Sequence, residues 1–178
     1  MKIFSWRRPS FALSRLILRR SDGAAALEFA ILAPVFAVTL IAIVDFAFAF
    51  YSKLQLASAV AAGAQYAYVN GQSLTSSTAS AFITNVQTVV GGASALTISS
   101  PTVYYNNVAS GANANNCYCI SNTGTWTTGT CGAACSVNGP TAGKYVSISA
   151  NYTYTPIFPT DRYISSGTIT EAALIRVQ

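Results

Sequence analysis

The stretch that decides the fold is residues 23–70, which read GAAALEFAILAPVFAVTLIAIVDFAFAFYSKLQLASAVAAGAQYAYVN. No charged residue lies between positions 29 and 44, and with Asp45 as the one interruption the apolar run reaches Tyr51. A helix over residues 29–51 is long enough to cross a hydrocarbon core of about 30 Å. The sequence therefore predicts a transmembrane helix in this stretch.

Positive charge is concentrated ahead of this predicted span. Six of the ten Lys and Arg residues lie within the first twenty positions, whereas acidic and basic residues balance after position 23. A basic segment directly before an apolar run marks the cytoplasmic side of a membrane. We therefore expect residues 1–23 to be a cytoplasmic leader and residues 71–178 to be exported. Because no basic surface remains on the exported part, no nucleic-acid partner is expected.

The helical pattern continues past the span to Asn70, where an Asn-Gly pair makes a natural C-terminal stop. An apolar stripe follows the helix with alternating spacings of three and four residues, which is typical of a helix–helix seam. The stripe packs either on the chain's own globular domain or on neighbouring subunits, and both can hold along different lengths. Its residues are Phe36, Leu40, Ile43, Ala47, Phe50, Leu54, Ala57, Ala61, Ala64 and Tyr68.

Two acidic residues interrupt this apolar helix. A carboxylate inside a bilayer costs at least about 2.5 kcal/mol, so such a group is usually paired or functional. Glu28 lies one helical turn after Ala24, and a cut after Gly23 would create an α-amine within its reach; otherwise Glu28 extends to water at the interface. Asp45 has no cation at helical spacing, so we expect it to extend outward or to pair with another subunit.

Residues 71–178 are enough for one small core. Apolar residues over 73–90 fit one face of a second helix that Gly91-Gly92 would end. Strand signals follow over 96–105, where Pro101 indicates an edge, then over 146–154, and last over 168–177, with Ile169, Ala173 and Ile175 facing inward. The predicted fold class is α+β, with a long N-terminal transmembrane helix packed on a small antiparallel sheet.

Between the strands, residues 106–143 are rich in Asn, Gly, Ser and Thr and are expected to form a long loop with four cysteines: Cys117, Cys119, Cys131 and Cys135. Tetrahedral zinc is one interpretation of this spacing. Export to an oxidising space favours two disulfides instead. A bridge between Cys117 and Cys119 would be strained, so bridges across the two halves are favoured, although the sequence leaves their connectivity open.

The composition argues against an enzyme. The chain has no His and five acidic residues, so a His-based catalytic triad and a His-ligated metal site are impossible. We expect no catalytic residues, no metal, no cofactor and no small-molecule substrate.

The stretch GAAALEF at residues 23–29 is similar to a type IV prepilin processing site. More closely, GAAALEFAILAPVF and IVDFAFAFYSKLQLASAVAAGAQYAYV resemble the TadE/TadG-like pseudopilins of the tight-adherence (Flp) pilus system. Asp45-Phe46 matches the acid-aromatic pair that follows the span in that family, and residues 63–67 match its GAxYA ending. The C-terminal stretches YVSISANYTYTPIFP and ITEAALIRVQ also resemble its closing strands.

This resemblance implies a pilin-like fold and a minor, pilin-like role in assembling the pilus or a related secretion machine. It implies cleavage between Gly23 and Ala24 by the prepilin peptidase, with Glu28 as the assembly carboxylate. The other implied partners are pilins, pseudopilins and the assembly platform. The implied location is the bacterial inner membrane with a periplasmic C-terminal domain. One departure is Glu-Phe at positions 28–29, where major Flp pilins favour Glu-Tyr.

Two alternatives compete with this interpretation. One is a membrane-tethered extracytoplasmic binding module that never enters a fibre; a stripe wholly covered by the protein's own sheet would favour it, and an exposed stripe would favour the pilin-like role. The other is a secretory signal cleaved at Ala47-Phe48-Ala49, but its leader would be longer than the usual 15–30 or so residues.

Overall fold

The computed structural model describes residues 22–136, 139–157 and 167–178; most of the expected basic leader, residues 1–21, lies outside this description. Within these described residues two helices, α1 and α2, precede five strands, β1 to β5. The chain divides into two compact units between Val44 and Asp45. The elements are α1 Asp22–Asn70, α2 Ser76–Gly92, β1 Ser99–Tyr105, β2 Cys117–Ile120, β3 Trp126–Gly129, β4 Tyr145–Tyr154 and β5 Gly167–Arg176, with a short 3-10 helix at Gly111–Asn113.

The first unit, up to Val44, is described from Asp22 onward and consists of the N-terminal part of α1. Its large apolar side chains are exposed, and Pro34 lies inside the helix without ending it. From Gly23, α1 is long and apolar enough to cross a membrane. Apolar side chains that no described residue covers are expected of a helix that lipid surrounds.

The second unit begins at Asp45 and holds the hydrophobic core. One face of α1 and the apolar face of α2 pack on the inner face of an antiparallel sheet with strand order β1-β4-β5. The described architecture therefore has the predicted α+β class, with the long helix packed on a small antiparallel sheet. Core residues include Leu56, Val60, Phe82, Val86, Val103, Val146 and Ile148.

The sheet follows the sequence signals closely. β4 pairs with β5 along its whole length, from Tyr145 opposite Arg176 to Tyr154 opposite Gly167. Strand β1 lies at the edge, and its register shifts between Ser99 and Thr102, around Pro101, because a proline cannot donate to the ladder. On β5, the alternate residues Ile169, Ala173 and Ile175 pack against the core as expected.

Helix α2 starts three residues later than the apolar pattern suggested. Thr75 is its N-cap, and its backbone N–H donates to Thr78 Oγ1 at 3.0 Å. This bond satisfies a backbone donor that would otherwise be unpaired, which fixes the first turn at Ser76. The N-cap thus overrides the apolar periodicity that reached back to position 73.

The cysteine-containing segment is not the long loop that the sequence predicted. It contains a hairpin in which β2 pairs antiparallel with β3, from Cys117 opposite Gly129 to Ile120 opposite Trp126. The 3-10 helix precedes it, and Gly143 bridges to Tyr118. A composition rich in Asn, Ser and Gly conceals these short strands, because their stability comes from the disulfides and aromatic contacts described below.

Candidate functional site

The predicted apolar stripe lies on the exposed side of α1. The six large residues of the stripe are between 53% and 64% exposed; Ala47 and Ala61 are exposed as well, whereas Ala57 and Ala64 are half-buried. Ala64 packs against the core, whereas the large residues of the stripe are not the surface that packs on the protein's own sheet. Its large exposed residues are Phe36, Leu40, Ile43, Phe50, Leu54 and Tyr68.

A second stripe with the same periodicity forms the buried face of α1. It includes the small residues Ala59, Gly63 and Ala67, which allow close approach of α2 and the sheet. A Cβ added to Gly63 would overlap the side chain of Val90 on α2. Sequence reasoning missed this face because it followed one apolar row by its spacing, and the polar residues Asp45 and Ser52 interrupt the buried row. The buried members are Asp45, Ser52, Leu56, Ala59, Val60, Gly63 and Ala67.

The residues of the predicted processing site lie together in the first turns of α1. Gly23, Ala24 and Glu28 are exposed, and a Cβ added to Gly23 would meet no described atom within 4 Å. Ala24 and Glu28 are four residues apart, so they share one helix face. This geometry leaves the Gly23–Ala24 bond open among the described residues and leaves Glu28 available to a cation from outside.

Asp45 is buried rather than extended toward solvent. Only 1% of its surface is exposed, and its Oδ1 accepts a hydrogen bond from the Ile157 backbone N–H at 3.0 Å. The Tyr154 hydroxyl donates to the Asp45 backbone carbonyl at 2.9 Å. Among the described residues, Asp45 Oδ2 has no hydrogen-bond partner. The protein's own C-terminal segment therefore covers this acid, which neither sequence expectation anticipated.

The electrostatics of this contact act on Tyr154. Burial, and after it the neighbouring Asp45 carboxylate, raise the pKa of the Tyr154 hydroxyl above its ordinary value. The hydroxyl thus stays protonated, which it must be to donate to the helix carbonyl. The signal that could have found this contact is the inward-facing tyrosine at the end of the strand predicted over 146–154. It lies more than a hundred residues after Asp45.

Part of helix α1, which contains these sites, matches a protein-family model. Residues 23–65 match the model of the family described as TadE-like protein. The match confirms the resemblance drawn from the sequence over the part of α1 that holds Gly23, Glu28 and Asp45. No curated protein and no solved structure matches the chain. We refer to residues 23–65 below as the TadE-like segment.

The cysteines lie outside the TadE-like segment and form two disulfides. Cys117 bonds to Cys131 and Cys119 bonds to Cys135, with Cα–Cα distances of 5.1 and 5.6 Å, which are ordinary for disulfides. The predicted bridging between the two halves of the loop is confirmed. Since all four sulfurs are paired, none is left as a zinc thiolate.

Aromatic rings join the disulfide hairpin to the sheet. Trp126 makes edge-to-face contacts with Tyr118 at 5.8 Å and with Tyr145 of β4 at 5.7 Å between ring centroids. The outer face of the sheet next to this cluster is a shallow groove bordered by Tyr104, Trp126 and Leu174. These contacts indicate that Tyr118 and Trp126 cover the sheet, while Tyr104 faces the groove.

Proposed function

We propose that this protein is a minor pilin-like component, a pseudopilin, that serves the assembly of a tight-adherence type IV pilus or a related secretion machine. One observation carries the proposal: the TadE-like match falls on a helix that has both an exposed apolar stripe and the processing pattern. The family supplies the pilus-system context, and the helix supplies surfaces that assembly requires.

In this proposal α1 anchors the protein in the bacterial inner membrane, with the N-terminus in the cytoplasm and the second unit in the periplasm. The exposed apolar side chains before Asp45 support membrane insertion, and the basic leader supports the orientation. The prepilin peptidase cuts between Gly23 and Ala24. Glu28 then neutralises the new α-amine of its own chain or of a neighbouring subunit.

The stripe beyond the membrane is the proposed contact with other pilins, pseudopilins or the assembly platform. A protein that only tethered a binding domain would have no need for the uncovered side chains of Leu54 and Tyr68. Their exposure therefore supports a helix that packs against other subunits over a tether outside the fibre.

Two variants test the processing and assembly roles separately. Gly23→Val places a branched side chain at the cut, so we expect the leader to remain attached. Glu28→Gln keeps the cut but removes the charge that pairs with the amine, so we expect a processed protein that no longer crosslinks to other pilus components. Gel mobility and intact mass report cleavage, and crosslinking reports assembly.

The variants serve as controls for each other. Normal maturation of Gly23→Val would show that the cleavage site is wrong. Parent-level crosslinking of Glu28→Gln would show that Glu28 is only an interfacial residue, and the pilin-like mechanism would lose its main electrostatic support.

A further inference from the structure

The segment Thr155–Ile157 is fastened to α1 at Asp45. The Ile157 N–H donates to the buried carboxylate, and the Tyr154 hydroxyl donates to the Asp45 carbonyl. We call this pair of bonds the Asp45 clasp. Although its backbone is held, the Ile157 side chain is 57% exposed. The clasp therefore presents an apolar side chain at the level of Asp45 instead of burying it.

Four exposed aromatic residues of α1 follow Asp45 directly, namely Phe46, Phe48, Phe50 and Tyr51. At about 1.5 Å per residue, Tyr51 lies about 9 Å further along the helix than Asp45. The apolar run that the sequence predicts to span the membrane ends at Tyr51. The Asp45 clasp thus lies within the outer end of that run, not beyond it.

This position accounts for the burial of Asp45. A carboxylate exposed to lipid is costly, and so is an unpaired backbone N–H. The clasp satisfies the Ile157 N–H with the carboxylate and covers the carboxylate with protein, while Ile157 and the aromatic residues that follow Asp45 stay exposed. Aromatic residues are enriched at membrane–water interfaces, where one side of the ring is apolar and the other is wet.

We propose that Ile157 and the four aromatic residues form a lipid-contacting collar at the outer membrane–water interface, held by the Asp45 clasp. The partner is the bilayer itself, which Ile157 contacts together with the four aromatic residues. This inference rests on the proposed membrane anchoring by α1, and it adds a second, peripheral contact made by the C-terminal part of the chain.

The test places a tryptophan reporter in the collar of the full chain. Ile157→Trp is reconstituted in phosphatidylcholine vesicles with brominated acyl chains, which quench tryptophan only where it meets lipid. The matched control is Asn122→Trp, at the exposed turn of the disulfide hairpin. The parent chain, which contains Trp6 and Trp126, supplies the background. We expect quenching and a blue shift of the added emission for Ile157→Trp and neither for Asn122→Trp.

A second set of variants tests the clasp. Adding Asp45→Ala to Ile157→Trp should reduce the quenching, because the Ile157 N–H loses its acceptor; adding Ser58→Ala, an exposed site on the same helix, should not. Tyr154→Phe, which removes only the hydroxyl, replaces Asp45→Ala if that variant does not fold. Vesicle flotation distinguishes the failures. A chain that does not float contradicts the membrane anchoring, whereas a chain that floats with unquenched Ile157→Trp emission overturns the collar alone.

Discussion

At the scale of single residues, Asn106 organises the start of the cysteine-containing segment. It is fully buried, and its Nδ2 donates to the carbonyls of Asn113 and Asn116 at 2.9 and 2.8 Å. Its Oδ1 accepts from the Tyr145 N–H at 2.9 Å. Its φ of 49° lies in the left-handed region, which Asn adopts more readily than most residues. One side chain thus ties the turn after β1 to both the 3-10 helix and β4.

We expect Asn106→Ala to destabilise the second unit by about 3 kcal/mol, because it removes three hydrogen bonds of a fully buried side chain. Asn106→Gly is the matched control, since glycine accepts the left-handed conformation but also lacks the three hydrogen bonds. Urea unfolding of both variants measures the loss. If Asn106→Gly were as stable as the parent, the backbone conformation and not the hydrogen bonding would be the role of this residue.

Tyr105 makes the free energy of unfolding depend on pH in the alkaline range. Burial raises its pKa to about 12, and its hydroxyl donates to the Gly71 carbonyl at 3.1 Å. Between about pH 10 and pH 12 the unfolded chain loses this proton while the folded protein keeps it, so stability falls as the pH rises. The stabilisation is complete at pH values below the pKa of Tyr105 in the unfolded chain. It is lost as the pH rises through the higher pKa of Tyr105 in the folded protein.

Tyr105→Phe should therefore flatten the decline in stability between about pH 10 and pH 12. The decline should not vanish, because the raised pKa of Tyr154 contributes in the same direction. At neutral pH the variant should be less stable by about 1 kcal/mol, since the Gly71 carbonyl loses its donor. Urea midpoints across this pH range measure both effects, and an unchanged slope would contradict the assignment.

The residue scale also separates what the sequence could predict from what it could not. Bridging between the two halves of the cysteine segment followed from a short-range argument, because neighbouring cysteines cannot bridge easily, but the connectivity did not. The environments of Asp45 and Asn106 depend on partners far along the chain, on β4 and the segment after it. Spacing within one helix or one loop carries no information on such partners.

At the scale of elements, α1 carries two apolar stripes with the same spacing on different faces. The sequence correctly predicted a helix that extends through residue 70, but periodicity alone could not assign the apolar stripe along it to an internal or an external partner. The buried stripe places Ala59, Gly63 and Ala67 in the core, and the exposed stripe carries Phe50, Leu54 and Tyr68. Burial, and not spacing, separates the two faces.

The close approach of the two helices predicts the effect of Gly63→Ala. The added methyl group would overlap Val90 in a packed core, so we expect a loss of about 1–3 kcal/mol in the free energy of unfolding. Gly91→Ala is the control, because a Cβ there meets no described atom within 4 Å and alanine is the better helix former. Thermal unfolding of the two variants should shift in opposite directions.

The exposed stripe predicts the effect of Leu54→Gln. Burying a leucine side chain at a subunit contact contributes about 1.5–3 kcal/mol, so its replacement should reduce copurification with pilus components. Ser58→Gln, exposed and off the stripe, should leave copurification unchanged. Both variants should unfold like the parent, because neither side chain is in the core. Equal copurification of the two variants would show that Leu54 is not part of the contact.

At the scale of the whole molecule, composition and local patterns predicted different things. The apolar run and the shortage of charge predicted a long apolar helix, and the helical and alternating patterns predicted the α+β plan, both of which the structure has. The disulfide hairpin was missed because its strands are only four residues long and are held by bridges and by Trp126, not by an alternating apolar pattern. A two-stranded hairpin is marginal without such additional support.

The two disulfides and the charge asymmetry together predict where the second unit is located. Disulfides persist in oxidising compartments, and the basic leader should keep the N-terminus in the cytoplasm. A reporter that is active only in the cytoplasm, fused after Gln178, should be silent, and a reporter that is active only after export should be active.

Independently, the intact mass under non-reducing conditions should be four hydrogens lower than that of the reduced chain, from two bridges. The two measurements rest on different physics, since one reads the membrane orientation and the other reads the redox environment. Cytoplasmic reporter activity together with four free thiols would reverse the proposed topology, whereas free thiols in an exported chain would contradict the disulfides alone.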